Sequence, residues 1–132
     1  MGSKNIKKII VDTNIIIRFL INDVENQANE VEKLFIKAEK GEVELVLLPI
    51  IVAETTYVLQ NFYHKSLMEI SKGLQSILIQ PWLILEHKKA LLGLWGWYEK
   101  GQHFVDSYLL ALEKYEGIEI FSFDKKLNNK RG

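Results

Sequence analysis

The chain has 132 residues, of which 48% are hydrophobic and 26% charged, the size and composition of one soluble globular domain rather than of a disordered chain. Lys plus Arg and Asp plus Glu each number 17, so there is no overall basic field for nucleic acid, and a polyanion would need a local patch or a metal ion. The absence of cysteine excludes disulfides, zinc–thiolate sites and thiol nucleophiles, and no apolar run reaches the roughly 18 residues of a membrane helix.

The first predicted element is a short strand at Ile9–Val11, which is followed directly by Asp12-Thr13-Asn14. Three β-branched aliphatic residues in succession predict a strand that is buried on both faces. Such strands belong to parallel sheets, whose strands are joined by crossover helices. Because ligands of open α/β sheets bind outside the carboxyl ends of the strands, Asp12 is a candidate functional residue.

Helices and strands alternate along the rest of the chain. The predicted elements are, in order, a helix opening at 15–20, a helix at 25–40, a strand at 44–48, a helix from Pro49 to Phe62, a helix from the capping-box pattern Ser66–Glu69 to Pro81, a strand or loop at 82–85, helices at 88–100 and 104–115, a last strand at 118–123 and a basic end at 125–131. This order predicts a single domain over residues 1–132, a three-layer α/β/α sandwich with a central, mostly parallel sheet.

Acidic residues recur at the carboxyl edge of this predicted sheet. Asp12 and Asp124 each follow a predicted strand. Glu54 lies on the helix that leaves the second strand, and Asp106 lies in the first turn of the 104–115 helix. Carboxylates brought together repel one another unless a cation neutralises them. Oxygen donors without His or Cys select Mg²⁺ or Mn²⁺, which can activate water for attack on phosphorus.

Each of these acids also has a purely structural explanation. Asp12, Asp106 and Asp124 stand where an N-cap or first-turn carboxylate satisfies helix N–H groups. An isolated helical glutamate is usually solvated, although Glu54 is unusual in following the apolar stretch Ile50–Ala53. The joint pattern therefore favours a functional site more than any single member does.

Taken together, several segments of the chain resemble the motifs of PIN-domain ribonucleases, in particular the VapC-type toxins of toxin–antitoxin pairs. These segments are Ile10–Asn14, Ala53-Glu54, His103–Ala111 and Phe121–Leu127. The resemblance extends over essentially the whole chain in order and length. It implies a metal-dependent endoribonuclease that hydrolyses RNA with metal-activated water and leaves a 5′-phosphate.

The same resemblance implies roles for the acids. Asp12 and Asp106 would be the main ligands of Mg²⁺ or Mn²⁺, and Glu54 would hold or orient the attacking water. Asp124 would bind a second ion or ligate through water. Leu109-Leu110 occupies the region where some relatives carry a further acid, so the resemblance leaves the number of metal ions open.

Supporting residues and partners follow from the resemblance and from charge. Thr13, Asn14 and Ser122 match positions that hydrogen-bond the carboxylates, and candidate phosphate contacts are Arg18, Lys125 and Lys126. The expected partners are an RNA substrate, an antitoxin protein and a second copy of the chain. The N-terminus lacks the apolar core of a signal peptide, so the expected location is the cytoplasm. The tryptophans are predicted to be core or interface residues: Trp82, Trp95 and Trp97.

Two other classes of protein stay open at this point. A haloacid-dehalogenase-like phosphatase also begins with a strand and an Asp, but it needs a second Asp two residues on, where this chain has Asn14. A catalytically inactive PIN-like scaffold that binds RNA or a partner could retain the acids. RNA cleavage would separate an enzyme from a scaffold, and hydrolysis of small phosphate esters would indicate the phosphatase.

Overall fold

A computed structural model describes residues 5–21 and 23–131, so residues 1–4, 22 and 132 of the predicted domain lie outside the described part. The elements are, in chain order, β1 (Lys7–Ile10), α1 (Thr13–Leu20), α2 (Glu25–Glu39), β2 (Val43–Val46), α3 (Pro49–Asn61), α4 (Leu67–Leu78), β3 (Leu83–Ile84), α5 (Lys88–Gly93), α6 (Trp95–Glu99), α7 (Phe104–Glu116) and α8 (Lys125–Lys130). The predicted α/β/α class is confirmed, because helices join and cover a parallel sheet.

The sheet places the carboxyl ends of its strands at one edge. Within residues 5–21 and 23–131 it has three strands in the order β1-β2-β3, and both pairings are parallel. Lys7 lies opposite Val43, and Leu45 lies opposite Leu83. The 82–85 segment, for which a strand or a loop was open, therefore contains a strand. The segments that follow β1 and β2 leave the sheet side by side.

The core is formed where helices cover this sheet. Leu45 and Leu47 are fully buried from the sheet side, and Val52, Leu74 and Leu94 are fully buried from the helices. Burial of such apolar surface is the main favourable term in folding. None of the helices among the described residues is both long and apolar enough to cross a membrane.

Local signals in the sequence set several helix boundaries. The predicted capping box at the start of α4 is confirmed, since the Ser66 hydroxyl accepts from the Glu69 N–H and the Glu69 carboxylate accepts from the Ser66 N–H, both at 3.1 Å. These hydrogen bonds from Ser66 hold the pKa of Glu69 below its usual value. Gly117 ends α7 in the left-handed conformation with a φ of 71°, which favours glycine.

The predicted helix at 88–100 is wrong in one respect, because it forms two short helices that meet at Leu94. The Leu94 carbonyl accepts from both the Trp97 and Tyr98 N–H groups, at 3.2 and 3.3 Å, which marks a local tightening of the helix. Gly93 precedes this point, and a Cβ there would collide with the ring of Tyr115 on α7. Close packing of α5 on α7 therefore requires this glycine.

The predicted strand at 118–123 is also wrong, because residues 117–124 form no strand. The Ile118 N–H donates to the Leu112 carbonyl at 3.3 Å, and the Ile120 N–H donates to the Glu113 carboxylate at 3.0 Å. Backbone groups that would pair with a neighbouring strand are thus bonded to α7 instead. Phe121 and Phe123 are left 89% and 91% exposed.

The first strand is more exposed than predicted, because the 118–123 segment does not form a strand beside it. With no strand at 118–123, β1 is an edge strand of the described sheet. Ile10 is 62% exposed, and only Val11, just after the strand, is buried. The prediction that Ile9–Val11 is buried on both faces is therefore wrong. The basic end at 125–131 forms the short helix α8, which packs on α7.

Candidate active site

The helices that carry Asp12, Glu54 and Asp106 are neighbours. Asp12 directly precedes α1, and α1 packs against α3, which bears Glu54. The other acid, Asp106, lies in the first turn of α7, which also packs against α3. Since β1 and β2 are parallel, α1 and α3 both begin at the carboxyl edge of the sheet. This edge is where ligands of open α/β sheets bind.

Asp12 combines a structural role with an open position. Its carboxylate accepts a hydrogen bond from the Ile15 N–H at 3.3 Å, so it is the N-cap of α1. The side chain is nevertheless exposed and lines a cavity of 510 Å³ together with Asn14 and Arg18. An N-cap carboxylate keeps free lone pairs after one such bond, so capping does not prevent Asp12 from binding a cation.

Arg18 lies in the wall of the 510 Å³ cavity, which is called here the Asp12 cavity. An Arg18 N–H donates to the carboxylate of Asp23. The nearby hydroxyl of Tyr63 and the Asp23 carboxylate both raise the pKa of Arg18, against the opposing effect of burial. Arg18 is therefore charged and held in place. Its predicted contact with phosphate stays a prediction.

The residue after Asp12 has an unusual environment. The Thr13 side chain is buried, and its hydroxyl has no hydrogen-bond partner among the described residues. The predicted hydrogen bond from Thr13 to a carboxylate is not formed in this structure. Unpaired buried hydroxyls are uncommon because they cost free energy. Thr13 is therefore an unsatisfied group directly beside the candidate metal ligand Asp12.

Glu54 and Asp106 flank a second cavity, of 280 Å³, through their immediate neighbours. Ala53 of α3 and Val105 of α7 both line it. Glu54 is exposed and Asp106 is half-buried. Unlike Asp12, Asp106 is not an N-cap, because His103 holds that position in α7. The structural explanation considered for Asp106 is thus reduced to a favourable first-turn charge.

Asp124 occupies a different setting at the start of α8. It is exposed, and its carboxylate accepts from the N–H groups of Lys126 and Leu127 at 2.9 and 3.2 Å. The Ser122 hydroxyl accepts from the Asp124 N–H at 3.0 Å, so Ser122 contacts the backbone of Asp124 and not its carboxylate. Lys125 and Lys126 are exposed beside it. The N-cap explanation for Asp124 is therefore confirmed.

The acids do not form a closed metal cage. Within residues 5–21 and 23–131, no group of three or more Asp, Glu or His side chains is placed to hold one ion. The donor chemistry still suits Mg²⁺, because this ion is usually held by one or two carboxylates, several waters and substrate phosphates. The quartet as a metal site stays a prediction.

Sequence reasoning missed Glu113, which fixes the end of the chain. Its carboxylate accepts from Arg131 Nε at 2.9 Å, from Arg131 Nη2 at 2.7 Å and from the Ile120 N–H at 3.0 Å. Hydrogen bonds from Arg131 and then from Ile120 lower the pKa of Glu113 to about 2. Because Arg131 lies 18 residues away, no local pattern in the sequence indicates the pair. Glu113 holds both sides of the segment that carries Asp124.

We expect acid to release this C-terminal segment. A folded-state pKa of about 2, below the ordinary value of 4.5, means that the stabilisation by Glu113 is fully present above pH 4.5 and is lost as the pH falls toward 2. Hydrogen exchange of the Ile120 amide, corrected for intrinsic rates, should show protection that decreases through this range.

The matched variants are Glu113→Gln and, as a control, Glu119→Gln. The first should reduce Ile120 protection at neutral pH and remove most of its further loss in acid. The second should stay close to the wild type, because the Glu119 carboxylate accepts none of the hydrogen bonds that hold Ile120 and acts on Arg131 only through its charge. Wild-type protection in Glu113→Gln would contradict the role given to Glu113.

An α/β domain with acidic side chains at the carboxyl edge of a parallel sheet is a suitable setting for phosphodiester hydrolysis. The comparison with known families agrees, since the chain matches the PIN domain family over residues 9–132. The chain therefore belongs to the PIN domain family, whose domains are generally nucleases. No curated protein and no solved structure matched the chain.

Proposed function

We propose that the chain is a metal-dependent endoribonuclease that hydrolyses RNA phosphodiesters, with Mg²⁺ or Mn²⁺ as its cofactor. The observation that carries the proposal is the PIN family match, because its range contains all of the acids considered above. The neighbouring positions of the helices that bear Asp12, Glu54 and Asp106 support it. Family membership favours this function over the haloacid-dehalogenase-like phosphatase.

In this proposal the four acids have different roles. Asp12 and Asp106 hold the ion, Glu54 orients the attacking water, and Asp124 ligates through water or holds a second ion. When bound, Mg²⁺ supplies positive charge that makes water more acidic and stabilises the oxygens around phosphorus. Glu54 suits its role because its exposed carboxylate can accept a hydrogen bond from water. Hydrolysis leaves a 5′-phosphate and a 3′-hydroxyl.

The supporting residues act on the carboxylates and on the RNA backbone. Asn14 lines the Asp12 cavity and can donate to a carboxylate there. Arg18 lies in the wall of the same cavity, where a phosphate could approach it. Lys125 and Lys126 are exposed beside Asp124, where they can contact a more distant phosphate.

Cleavage should depend on a divalent cation. Purified protein incubated with total RNA should cut it in Mg²⁺ or Mn²⁺, lose all activity in EDTA and regain it with excess Mg²⁺, because carboxylates alone cannot neutralise the charge at phosphorus. Gel analysis of 5′-labelled RNA is the measurement. An Asp12→Asn preparation purified in the same way controls for contaminating ribonucleases.

The alternatives give different results in this assay. Full activity of the wild type in EDTA, absent from the control preparation, would contradict metal dependence. RNA binding without cleavage in either metal would indicate the inactive scaffold. Hydrolysis of a small phosphate ester without RNA cleavage would indicate a phosphatase.

We further propose that the chain is the toxin of a VapBC-type pair and a homodimer that binds an antitoxin helix. Support comes from the surface, where Phe19, Phe35 and Trp82 line a cavity of 180 Å³. The ring centroid of Phe35 lies 4.9 Å from that of Phe19 and 5.1 Å from that of Trp82. Amphipathic helices bind such apolar grooves. Exposed Phe121 and Phe123 offer apolar surface for a second copy.

Co-expression and sedimentation test this second proposal. A candidate antitoxin should co-purify with the chain and suppress RNA cleavage, and the free chain should sediment as a dimer. Failure of every candidate to co-purify, together with harmless high-level expression of active enzyme, would remove the support for a toxin and leave the nuclease proposal standing.

A further inference from the structure

A cavity lies between α3 and the start of α7, and none of the four acids lines it. It measures 280 Å³ and is called here the Tyr57 cavity; its lining residues include Thr56, Tyr57 and Gln60 of α3, Tyr98, and the 101–105 segment. It adjoins the candidate active site, since its lining residues Ala53 and Val105 precede Glu54 and Asp106 directly. The cavity is therefore lined by the same two helices that carry Glu54 and Asp106.

One wall of the Tyr57 cavity offers an aromatic ring to solvent. Tyr57 is 62% exposed and lies three residues after Glu54, so both side chains lie on the same face of α3. Aromatic rings exposed along a nucleic-acid path commonly stack on unpaired bases. Tyr57 is therefore placed to contact the nucleotide next to a phosphate bound near Glu54.

The inner end of the Tyr57 cavity carries an unpaired polar group. Tyr98 is 3% exposed, and within residues 5–21 and 23–131 its hydroxyl completes no hydrogen bond of normal geometry. Burial raises the pKa of this hydroxyl, and the nearby Thr56 hydroxyl only partly opposes the rise. A tyrosine hydroxyl without a partner of normal geometry can be satisfied by donating to a ligand.

The remaining lining residues suit a neutral, planar ligand. Gln60 and Gln102 each carry an amide with both donor and acceptor capacity. All of the lining residues are described, and none of them is Lys or Arg. His103 is the one lining side chain that can become positively charged, so the lining favours a neutral ligand over phosphate. A ring with hydrogen-bonding edges, such as a nucleobase, matches an aromatic wall combined with amides and a hydroxyl.

We propose that the Tyr57 cavity binds one unpaired base of the RNA substrate, stacked on Tyr57 and hydrogen-bonded through Tyr98 and Gln60. The inference rests on the proposed ribonuclease function and adds a subsite that contributes to cleavage preference. It predicts that RNA in single-stranded form is preferred, because a paired base cannot enter the cavity.

Binding without cleavage tests the subsite. A short fluorescein-labelled single-stranded RNA is titrated with protein in EDTA and followed by fluorescence anisotropy. Tyr57→Leu should raise Kd roughly tenfold, as loss of one base stack does, and Tyr57→Phe should retain near wild-type affinity. Phe62→Leu is the matched control, since Phe62 is 72% exposed and lies outside the cavity.

Further variants and competitors refine the result. Gln60→Ala and Tyr98→Phe should each weaken binding or change which of the four ribonucleoside monophosphates competes best for the protein. Strong competition by a free monophosphate, equal to that of the oligonucleotide, would indicate a nucleotide site rather than a strand site. If Tyr98→Phe fails to fold, Tyr57 and Gln60 decide the question.

The outcomes separate the subsite from the catalytic proposal. Weaker RNA binding by Tyr57→Leu in EDTA, with no cleavage by wild type in Mg²⁺ or Mn²⁺, would support the subsite and contradict the ribonuclease. Metal-dependent cleavage with unchanged Kd, KM and cut positions in Tyr57→Leu and Gln60→Ala would overturn the subsite alone. If RNA binds only with a divalent ion present, the comparison is repeated in Mg²⁺ on the Glu54→Gln background, where an unchanged Kd in Tyr57→Leu would overturn the subsite.

Discussion

Asp12→Asn is expected to reduce metal-dependent RNA cleavage by at least about 100-fold, a loss typical of removing a group that acts on charge in the transition state. The variant should remain folded. Asparagine caps a helix about as well as aspartate, so α1 keeps its N-cap and the free energy of unfolding should change by less than about 0.5 kcal/mol. Cleavage rates and urea denaturation of the same preparation measure both effects.

The control for this experiment is Glu42→Gln, the same change of carboxylate to amide at an exposed residue that precedes β2, at the opposite edge of the sheet from Asp12. It should cleave RNA at close to the wild-type rate. Asp106→Asn should match Asp12→Asn in its loss of cleavage. An Asp12→Asn protein that unfolds would make Asp12 essential for structure, and the site would then have to be tested through Glu54 and Asp106.

Metal binding gives an independent measure of the same residues. Mg²⁺ that binds only the folded protein raises its stability by linkage, an effect that grows with concentration above Kd. The wild type should therefore melt at a higher temperature in Mg²⁺ than in EDTA, and Asp12→Asn should show a smaller difference. Equal shifts in both proteins would place the bound ion away from Asp12.

The alternating pattern of the sequence predicted the fold well where signals are local. The capping box Ser66–Glu69 and Pro49 fixed two helix starts, because each satisfies backbone groups within one turn. The break at Leu94 was missed because it depends on packing between α5 and α7 at Gly93. The 118–123 segment was missed because Glu113, whose partner Arg131 lies far along the chain, binds its backbone.

The candidate site was predictable in composition and less so in geometry. Asp12 and Asp124 were recognised from their positions in the chain, and the structure shows that both also cap helices. Sequence alone cannot place Tyr57 and Tyr98 in one cavity, since they lie 41 positions apart, on α3 and α6, and only tertiary packing joins them. Such tertiary neighbours determine substrate contacts that motifs do not report.

Trp95→Ala is expected to be the most destabilising change among the tryptophans, by about 3–5 kcal/mol. The prediction that Trp95 is a core residue is confirmed, since it is 2% exposed. Its indole N–H donates to the Leu91 carbonyl at 2.8 Å, and its ring lies 5.3 Å from that of Tyr98 and 6.0 Å from that of Phe104. Truncation would leave a large cavity behind two residues that line the Tyr57 cavity.

Trp97→Ala is the matched control, because Trp97 is only partly buried and lies under the Lys114 ammonium at 5.7 Å. It should cost about 1 kcal/mol. Urea denaturation should be followed by far-UV circular dichroism, since both variants alter the tryptophan fluorescence. Equal losses in the two variants would mean that Trp95 does not anchor this part of the core. If Trp95→Phe, which keeps a ring, restores most of the stability and also the affinity for single-stranded RNA, then packing behind Tyr98 and Phe104 sets the shape of the Tyr57 cavity.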